Sequence, residues 1–235
     1  MRKATLIVVA AALLGAPAAT ARTTSSAPAI RATESASSVR YSIAISVVRA
    51  GVPARLTLRG VSARGKLFVS ARQASGSESA AMIDGAFFYE RAPNGVAVDG
   101  TIRWLRVPIA AIGRSSAALN VVRNLTPAPL LRVLGESHAA ATHGSGFAGT
   151  VQYDDPIVRS AITRFSGGVE FHGLRVVARL GGDGLIHDVR VTGITADGTT
   201  TLDIQARLYA FGRPVHLTPP AEGTFMDQQL LQLSE

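Results

Sequence analysis

Residues 174–208 read LRVVARL-GGDG-LIHDVRVTGI-TADGTT-TLDIQARL, three segments in which apolar and polar side chains alternate. Alternation with a period of two is typical of a strand with one buried face. The Gly-Asp-Gly at 182–184 and the Ala-Asp-Gly at 196–198 are tight-turn sequences, which join consecutive strands into hairpins. This stretch therefore predicts a three-stranded antiparallel meander, and it decides the class of the fold.

The same alternation runs through the first half of the chain. Residues 39–47, VRYSIAISV, place every second side chain on one apolar face. Further segments of this kind follow at Leu56–Leu58, Leu67–Ala71, Ala81–Tyr89 (with Gly85 as a bulge or tight bend) and Thr101–Val107, and Pro93-Asn94-Gly95 is a turn signal. No strand–helix–strand alternation appears, which argues against a parallel sheet. We predict an α+β fold with one large, curved antiparallel sheet wrapped around helices.

Two helices are predicted between these strands. Thr126 is a candidate N-cap with Pro127 in the first turn and Gly135 as the stop. Asp155 is a second N-cap, before Pro156, and Gly167-Gly168 ends that helix. The leucines and branched apolar residues of both helices fall on one side, so that side is expected to face the sheet.

The first residues predict export. Arg2 and Lys3 precede a short apolar run, and small residues spaced for cleavage follow, so residues 1–21 are predicted to be a signal peptide, with an uncut membrane anchor as the alternative. Residues 22–37 are rich in Ser, Thr, Ala and Pro and are predicted to be a flexible polar tether. The domain is placed at 38–227 and a C-terminal tail at 228–235. We expect an exported protein of the cell envelope or the extracellular space.

Composition excludes several kinds of site. The chain has no cysteine, which rules out disulfides, thiolate metal sites and a lipidated cysteine as membrane anchor. The formal net charge is +8, but its arginines are scattered and do not interleave with aromatic residues, so nucleic acid is not an expected partner. The charge fits a solvated sheet face, with transient contact with an anionic membrane surface as the alternative.

No catalytic constellation is found. The five histidines lack the i, i+4 helical spacing of a zinc protease, although His172 and His187 lie in strand segments that could approach each other. His143-Gly144-Ser145-Gly146 lacks the Gly-x-Ser-x-Gly spacing of a nucleophile turn. Asp154-Asp155 is better explained by helix capping than by calcium. We therefore predict no catalytic residues, no metal, no cofactor and no enzymatic activity.

The order of these segments resembles that of the actinobacterial LppX/LprG-type envelope proteins, which have a LolA-like fold. The matching stretches are Asp84–Tyr89, Trp104, Pro129-Leu130-Leu131, Gly149–Tyr153 and Phe211–Pro220. The resemblance implies a half-barrel sheet with helices in its concave face and a function in carrying lipids or lipid-linked glycans across the envelope. The family's lipidated cysteine is missing here, which puts membrane tethering in doubt.

The predicted function is therefore non-catalytic binding and carriage of a hydrophobic ligand, an acylated lipid or glycolipid, in a cavity between sheet and helices. The alternative is an interaction or regulatory module of the same fold with a filled core, acting on an envelope protein partner. The residues predicted to line the cavity are Tyr41, Ile43, Leu56, Leu58, Val69, Phe87, Trp104, Leu130, Leu134, Val158, Ile162 and Ile204. Arg103 and Arg106 are predicted to contact an anionic headgroup.

Overall fold

The computed structural model of this protein describes residues 25–91, 103–112, 122, 124–137, 139–142, 145–166 and 168–227. The helices are α1 Ala27–Glu34, α2 Ile109–Ile112, α3 Ala128–Glu136 and α4 Pro156–Ser166. The strands are β1 Ser38–Arg49, β2 Val52–Ala63, β3 Lys66–Gln73, β4 Glu78–Ile83, β5 Phe87–Arg91, β6 Trp104–Pro108, β7 Ala140–Ala141, β8 Gly146–Val151, β9 Gly173–Leu180, β10 Ile186–Ile194, β11 Thr200–Tyr209 and β12 Phe225–Asp227. Within these ranges no helix has both the length and the apolar character to cross a bilayer.

The strands form one sheet in the order β12-β6-β5-β4-β3-β2-β1-β11-β10-β9-β8-β7. Every neighbouring pair is antiparallel except β12 and β6, which are parallel. The meander β9–β10–β11 is present, and β11 pairs with β1 so that Ile43 lies opposite Ala206. The predicted fold class is confirmed.

The sheet has an inner face that packs on the helices and an outer face that does not. Strand alternation places Tyr41, Ile43 and Ile45 of β1 on the inner face, where they join one buried apolar cluster. The helices contribute to the same cluster with Ile30, Leu130, Leu134, Val158 and Ile162. The amphipathic face predicted for each helix therefore does meet the sheet.

The start of α4 follows the predicted capping chemistry. The Asp155 carboxylate accepts hydrogen bonds from the backbone N–H of Ile157 at 2.8 Å and of Val158 at 3.1 Å, which satisfies two donors that a helix start leaves open. Helix α3 differs slightly from the prediction, because Pro127 rather than Thr126 is its N-cap and Gly135 lies inside it. Ser137 follows its last turn, and the Ser137 hydroxyl donates to the Leu134 carbonyl at 2.7 Å.

The structure differs from the predicted tether, because residues 27–34 form helix α1. Ala29, Ile30 and Thr33 of this helix are buried. The Thr33 hydroxyl donates to the Ala29 carbonyl at 2.7 Å and accepts from the backbone N–H of Ile186 at 2.9 Å. Helix α1 therefore packs on the sheet through Ala29 and Ile30 and through the hydrogen bond of Thr33 to the first residue of β10, although few of its residues are strongly apolar.

The segment predicted as one strand over Ala81–Tyr89 is instead the hairpin of β4 and β5. The Asp84 carboxylate accepts from the backbone N–H of Ala86 at 3.0 Å and of Phe87 at 2.8 Å. Gly85 has a φ of +105°, which only glycine adopts readily. An aspartate that binds its own downstream backbone reverses the chain here and does not merely bend it.

Several predictions fall outside the described residues. They concern the signal peptide at 1–21, the Pro93-Asn94-Gly95 turn, His138, His143 and the tail at 228–235.

Candidate functional site

A groove lies where the sheet meets the start of α3, at the end of the sheet that carries the β2–β3 turn. We call it the end groove. It has two adjoining parts that share Ser62, Ala63, Thr126 and Ala128. The part beneath α1 has a volume of about 370 Å³, and the part beneath α3 and α4 has a volume of about 570 Å³.

Small residues explain why the groove exists. Ser62 and Ala63 are the last two residues of β2, and Ala128 is the first residue of α3. Short side chains from both elements therefore line the groove. Ala36 and Ser37, between α1 and β1, also line the groove with small side chains. Side chains of this size cannot close the gap between two elements that larger residues hold apart further along.

The two parts of the end groove differ in polarity. The part beneath α1 is lined mainly by apolar surface, with Val39, Leu131 and Leu208 among its residues, whereas the part beneath α3 exposes more polar than apolar surface. The charged lining residues of the two parts are Glu34, Arg64, Lys66 and Arg132. An apolar lining with a few polar groups is the usual make-up of a small-molecule site, and the part beneath α1 has it.

On the inner face of β1, two residues along the strand from Val39, which lines the groove, the described residues leave one buried hydroxyl without a hydrogen-bond partner. Tyr41 is 0% exposed, and among the described residues no group hydrogen-bonds to its Oη atom. Burial raises the pKa of the Tyr41 phenol well above its usual value, so the group is a neutral donor. Its neighbours on the inner face include Leu208, which pairs with Tyr41 and lines the groove.

Tyr41→Phe is expected to stabilise the ligand-free protein by about 1 kcal/mol. An unsatisfied buried hydroxyl costs about 1–3 kcal/mol, and phenylalanine keeps the ring while removing that cost. Urea denaturation of the two proteins measures the difference. Tyr153→Phe is the matched control and should destabilise, because the Tyr153 hydroxyl has partners in the Thr163 hydroxyl and the Val169 carbonyl. A loss of stability in Tyr41→Phe would contradict the description of this hydroxyl as unpaired.

Nine of the residues predicted to line a cavity lie on the inner side, in the buried cluster. They pack against one another and do not surround a void: Tyr41, Ile43, Leu58, Val69, Leu130, Leu134, Val158, Ile162 and Ile204. Leu56 is partly buried against the same cluster. None of these ten residues lines the end groove. These ten residues lie in or against the buried cluster, and the end groove is lined by other residues.

Phe87 and Trp104 are placed on the outer face, opposite to the predicted direction. Phe88, not Phe87, belongs to the buried cluster. The register pairs Tyr89 with Arg106 and Arg91 with Trp104, so these side chains share the face of Phe87. Two adjacent phenylalanines leave the phase of a strand ambiguous, and the Asp84 turn sets the phase that the structure adopts.

The two predicted headgroup arginines do not lie at the end groove. The Arg106 guanidinium forms a two-pronged ion pair with Asp227, at 2.6 and 2.8 Å. It also lies over the rings of Phe225 and Phe87, with its Cζ 4.1 and 4.8 Å from their centroids. Arg103 is exposed just before β6, at the opposite end of the sheet from the groove. Arg106 therefore serves to hold β12 against β6, since its charge is already paired.

The two strand histidines lie at opposite ends of the sheet. His172 is next to the start of β9, and its backbone N–H donates to the Ile194 carbonyl, whereas His187 is at the start of β10. The antiparallel register of β9 and β10 separates them, so the predicted approach across the sheet does not occur. His187 instead bonds to Asp183 at 3.0 Å and packs edge-on against Phe211.

A second groove, on the outer face of β9–β11, has a different character. It has a volume of about 520 Å³, and its lining includes Arg175, Arg179 and Arg190. Arg190 is paired with Asp203 at 2.9 Å, and Arg207 lies 3.7 Å from Asp188 on the same face. This surface is the solvated sheet face expected from the sequence.

Sequence reasoning missed the groove residues because small residues at strand and helix ends have no distinctive pattern. The one available signal was the coincidence of Ser62-Ala63 at a strand end with Pro127-Ala128-Pro129 at a helix start. Only the tertiary structure brings these two short runs together, since both line the groove.

No known protein family matches the sequence, and no curated protein matches it. Some solved structures match this chain at low identity and low TM-score. The lipoprotein LppX of Mycobacterium tuberculosis has 11% identity and a TM-score of 0.40, over 81% of this chain and 94% of that one. The MucA/MucB complex of Pseudomonas aeruginosa has 13% and 0.34, over 83% and 56%. A putative outer membrane lipoprotein-sorting domain from Vibrio parahaemolyticus has 8% and 0.29, over 81% and 92%.

Proposed function

We propose that this protein is an exported, non-catalytic binder of a hydrophobic ligand, an acylated lipid or glycolipid, whose apolar part occupies the end groove. The observation that carries the proposal is the groove itself. Its two parts, about 370 and 570 Å³, both fall in the range of small-molecule sites, and the part beneath α1 is lined mainly by apolar surface.

The packed cluster beneath the helices restricts where a ligand fits. Leu134 and Ile162 are fully buried against the inner face, so the space between helices and sheet is filled at that depth. A ligand therefore lies along the end of the sheet and does not thread through the interior. Each methylene buried in the groove would contribute about 0.8 kcal/mol before ordering costs.

Filling the groove with a large side chain is expected to weaken the binding of hydrophobic ligands. In Ser62→Trp, an inward-facing indole would occupy the space shared by both parts, and we expect affinity for the uncharged fluorophore N-phenyl-1-naphthylamine to fall at least about tenfold. Fluorescence titration measures the affinity. Native mass spectrometry of wild-type protein purified from an envelope-containing host tests for a co-purifying lipid.

Thr57→Trp is the matched control, because Thr57 lies on the same strand with its side chain on the outer face. It should bind the fluorophore as the wild type does. If the wild type neither takes up the fluorophore nor co-purifies with a lipid, the proposal is wrong. Equal binding by the Ser62→Trp variant and the wild type would remove the end groove as the site.

The packed cluster favours a second candidate, an interaction module that acts through its surface on an envelope protein and holds no ligand. In that case the Ser62→Trp variant would keep its function in the cell. The fluorophore titration separates the two candidates, because only the first requires uptake.

A further inference from the structure

We infer that the end groove selects amphiphiles with an anionic headgroup, and that Arg64, Lys66 and Arg132 form the headgroup site. The inference rests on the proposed function, since it assigns a polar end to the ligand whose apolar part fills the groove. It replaces Arg103 and Arg106, which the structure places away from the groove.

The three cations come from the β2–β3 hairpin and from α3, and they line the two adjoining parts of one groove. Arg64 lies in the β2–β3 turn, Lys66 is the first residue of β3, and Arg132 lies on the exposed side of α3. Lys66 and Arg132 line the part beneath α3, and Arg64 lines the part beneath α1. Two elements that pack together to form the groove thus also bring its positive charges together.

These charges are not used for folding. In the described part of the chain, ion pairs engage Arg72, Arg106, Arg190 and Arg207, and none engages Arg64, Lys66 or Arg132. Among the described lining residues of the groove the only carboxylate is Glu34, and it forms no ion pair with Arg64. The end groove therefore has an excess of positive charge next to the apolar lining of its part beneath α1.

This arrangement matches one chemical class. A monomeric lipid with a phosphate or carboxylate headgroup would bury its acyl chain against the apolar lining of the part beneath α1, which includes Val39 and Leu131, while its anionic group remained in water near the three cations. A zwitterionic headgroup on the same chain would bring a positive charge to the same place and lose the attraction.

The test compares two lysolipids with the same myristoyl chain below their micelle-forming concentrations. We expect calorimetric titration to show myristoyl lysophosphatidylglycerol binding about tenfold more tightly than myristoyl lysophosphatidylcholine. The triple variant Arg64→Gln, Lys66→Gln and Arg132→Gln should lose this preference and bind the choline lipid as the wild type does. A control variant, Arg59→Gln, Arg175→Gln and Arg179→Gln, removes the same amount of positive charge from the outer face. This control should keep the preference for the anionic lysolipid.

The outcomes separate this inference from the proposed function. Equal binding of both lysolipids by the wild type would overturn the headgroup site and leave the groove as an apolar site. A preference that survives in the triple variant would also overturn it. Binding of neither lysolipid would overturn the proposed function together with this inference. Inorganic phosphate bound as tightly as the anionic lysolipid would show a plain anion site instead.

Discussion

Gly60→Ala is expected to lower the free energy of unfolding by about 3 kcal/mol, at the upper end of what overpacking usually costs. A Cβ atom at residue 60 would overlap the Cζ and Oη of Tyr41 and lie 2.5 Å from the backbone carbonyl oxygen of Phe68. A ring can turn away, but a carbonyl oxygen in the β2–β3 ladder cannot move without breaking the pairing of those strands. Thermal unfolding should show a melting temperature lower by roughly 10 °C.

The matched control is Gly173→Ala at the start of β9. No heavy atom lies within 4 Å of a Cβ placed there, and its φ is not in the left-handed region. Alanine reduces the freedom of the unfolded chain, so this variant should be as stable as the wild type or slightly more stable. A Gly60→Ala variant with wild-type stability would mean that the Tyr41 ring does not lie over β2. The position given above for the Tyr41 hydroxyl would then be wrong.

Leu134→Ala is expected to cost about 3 kcal/mol, within the range for leucine-to-alanine changes in packed cores. Leu134 is 0% exposed at the centre of the cluster between α3 and the sheet. Alanine has the higher helix propensity, so any loss reports packing and not the helix itself. Chemical denaturation at fixed pH gives the difference.

This variant also distinguishes a packed interior from a hollow one. If Leu134 lined an existing void, its neighbours would lose few contacts and the cost would fall to about 1–2 kcal/mol of transfer free energy. Ile157→Ala on α4 is the control, because Ile157 is 46% exposed and its removal should change stability by less than about 0.5 kcal/mol. A small loss of stability in Leu134→Ala would instead favour a ligand site in the interior, between sheet and helices, as the sequence predicted.

The strands, their faces and the α4 cap could be predicted because each depends on neighbours in the chain. Period-two alternation identifies β1 and β9–β11, and Asp155 before Pro156 identifies the start of α4. The same local signals failed where they were ambiguous. The pair Phe87-Phe88 fits either phase of a strand, and only the Asp84 turn decides which ring faces inward.

The cavity predicted from the sequence and the end groove are lined by different residues. The cavity residues expected from the sequence are large and apolar, and large apolar residues fill space when a sheet and helices close on them. The space remains where Ser62, Ala63 and Ala128 meet, since small side chains leave it. The headgroup arginines were misplaced for a related reason, because Arg106 is held by Asp227, 121 residues away in the chain.

The sequence by itself determined that this chain forms an antiparallel sheet with one apolar face and helices to cover it, because hydrophobic period and turn chemistry act over a few residues. The tertiary structure alone decided that α1 docks, that the interior is packed and that an opening with three cations lies at one end. Those features depend on contacts such as Thr33 with Ile186, across 153 residues, which no local pattern encodes.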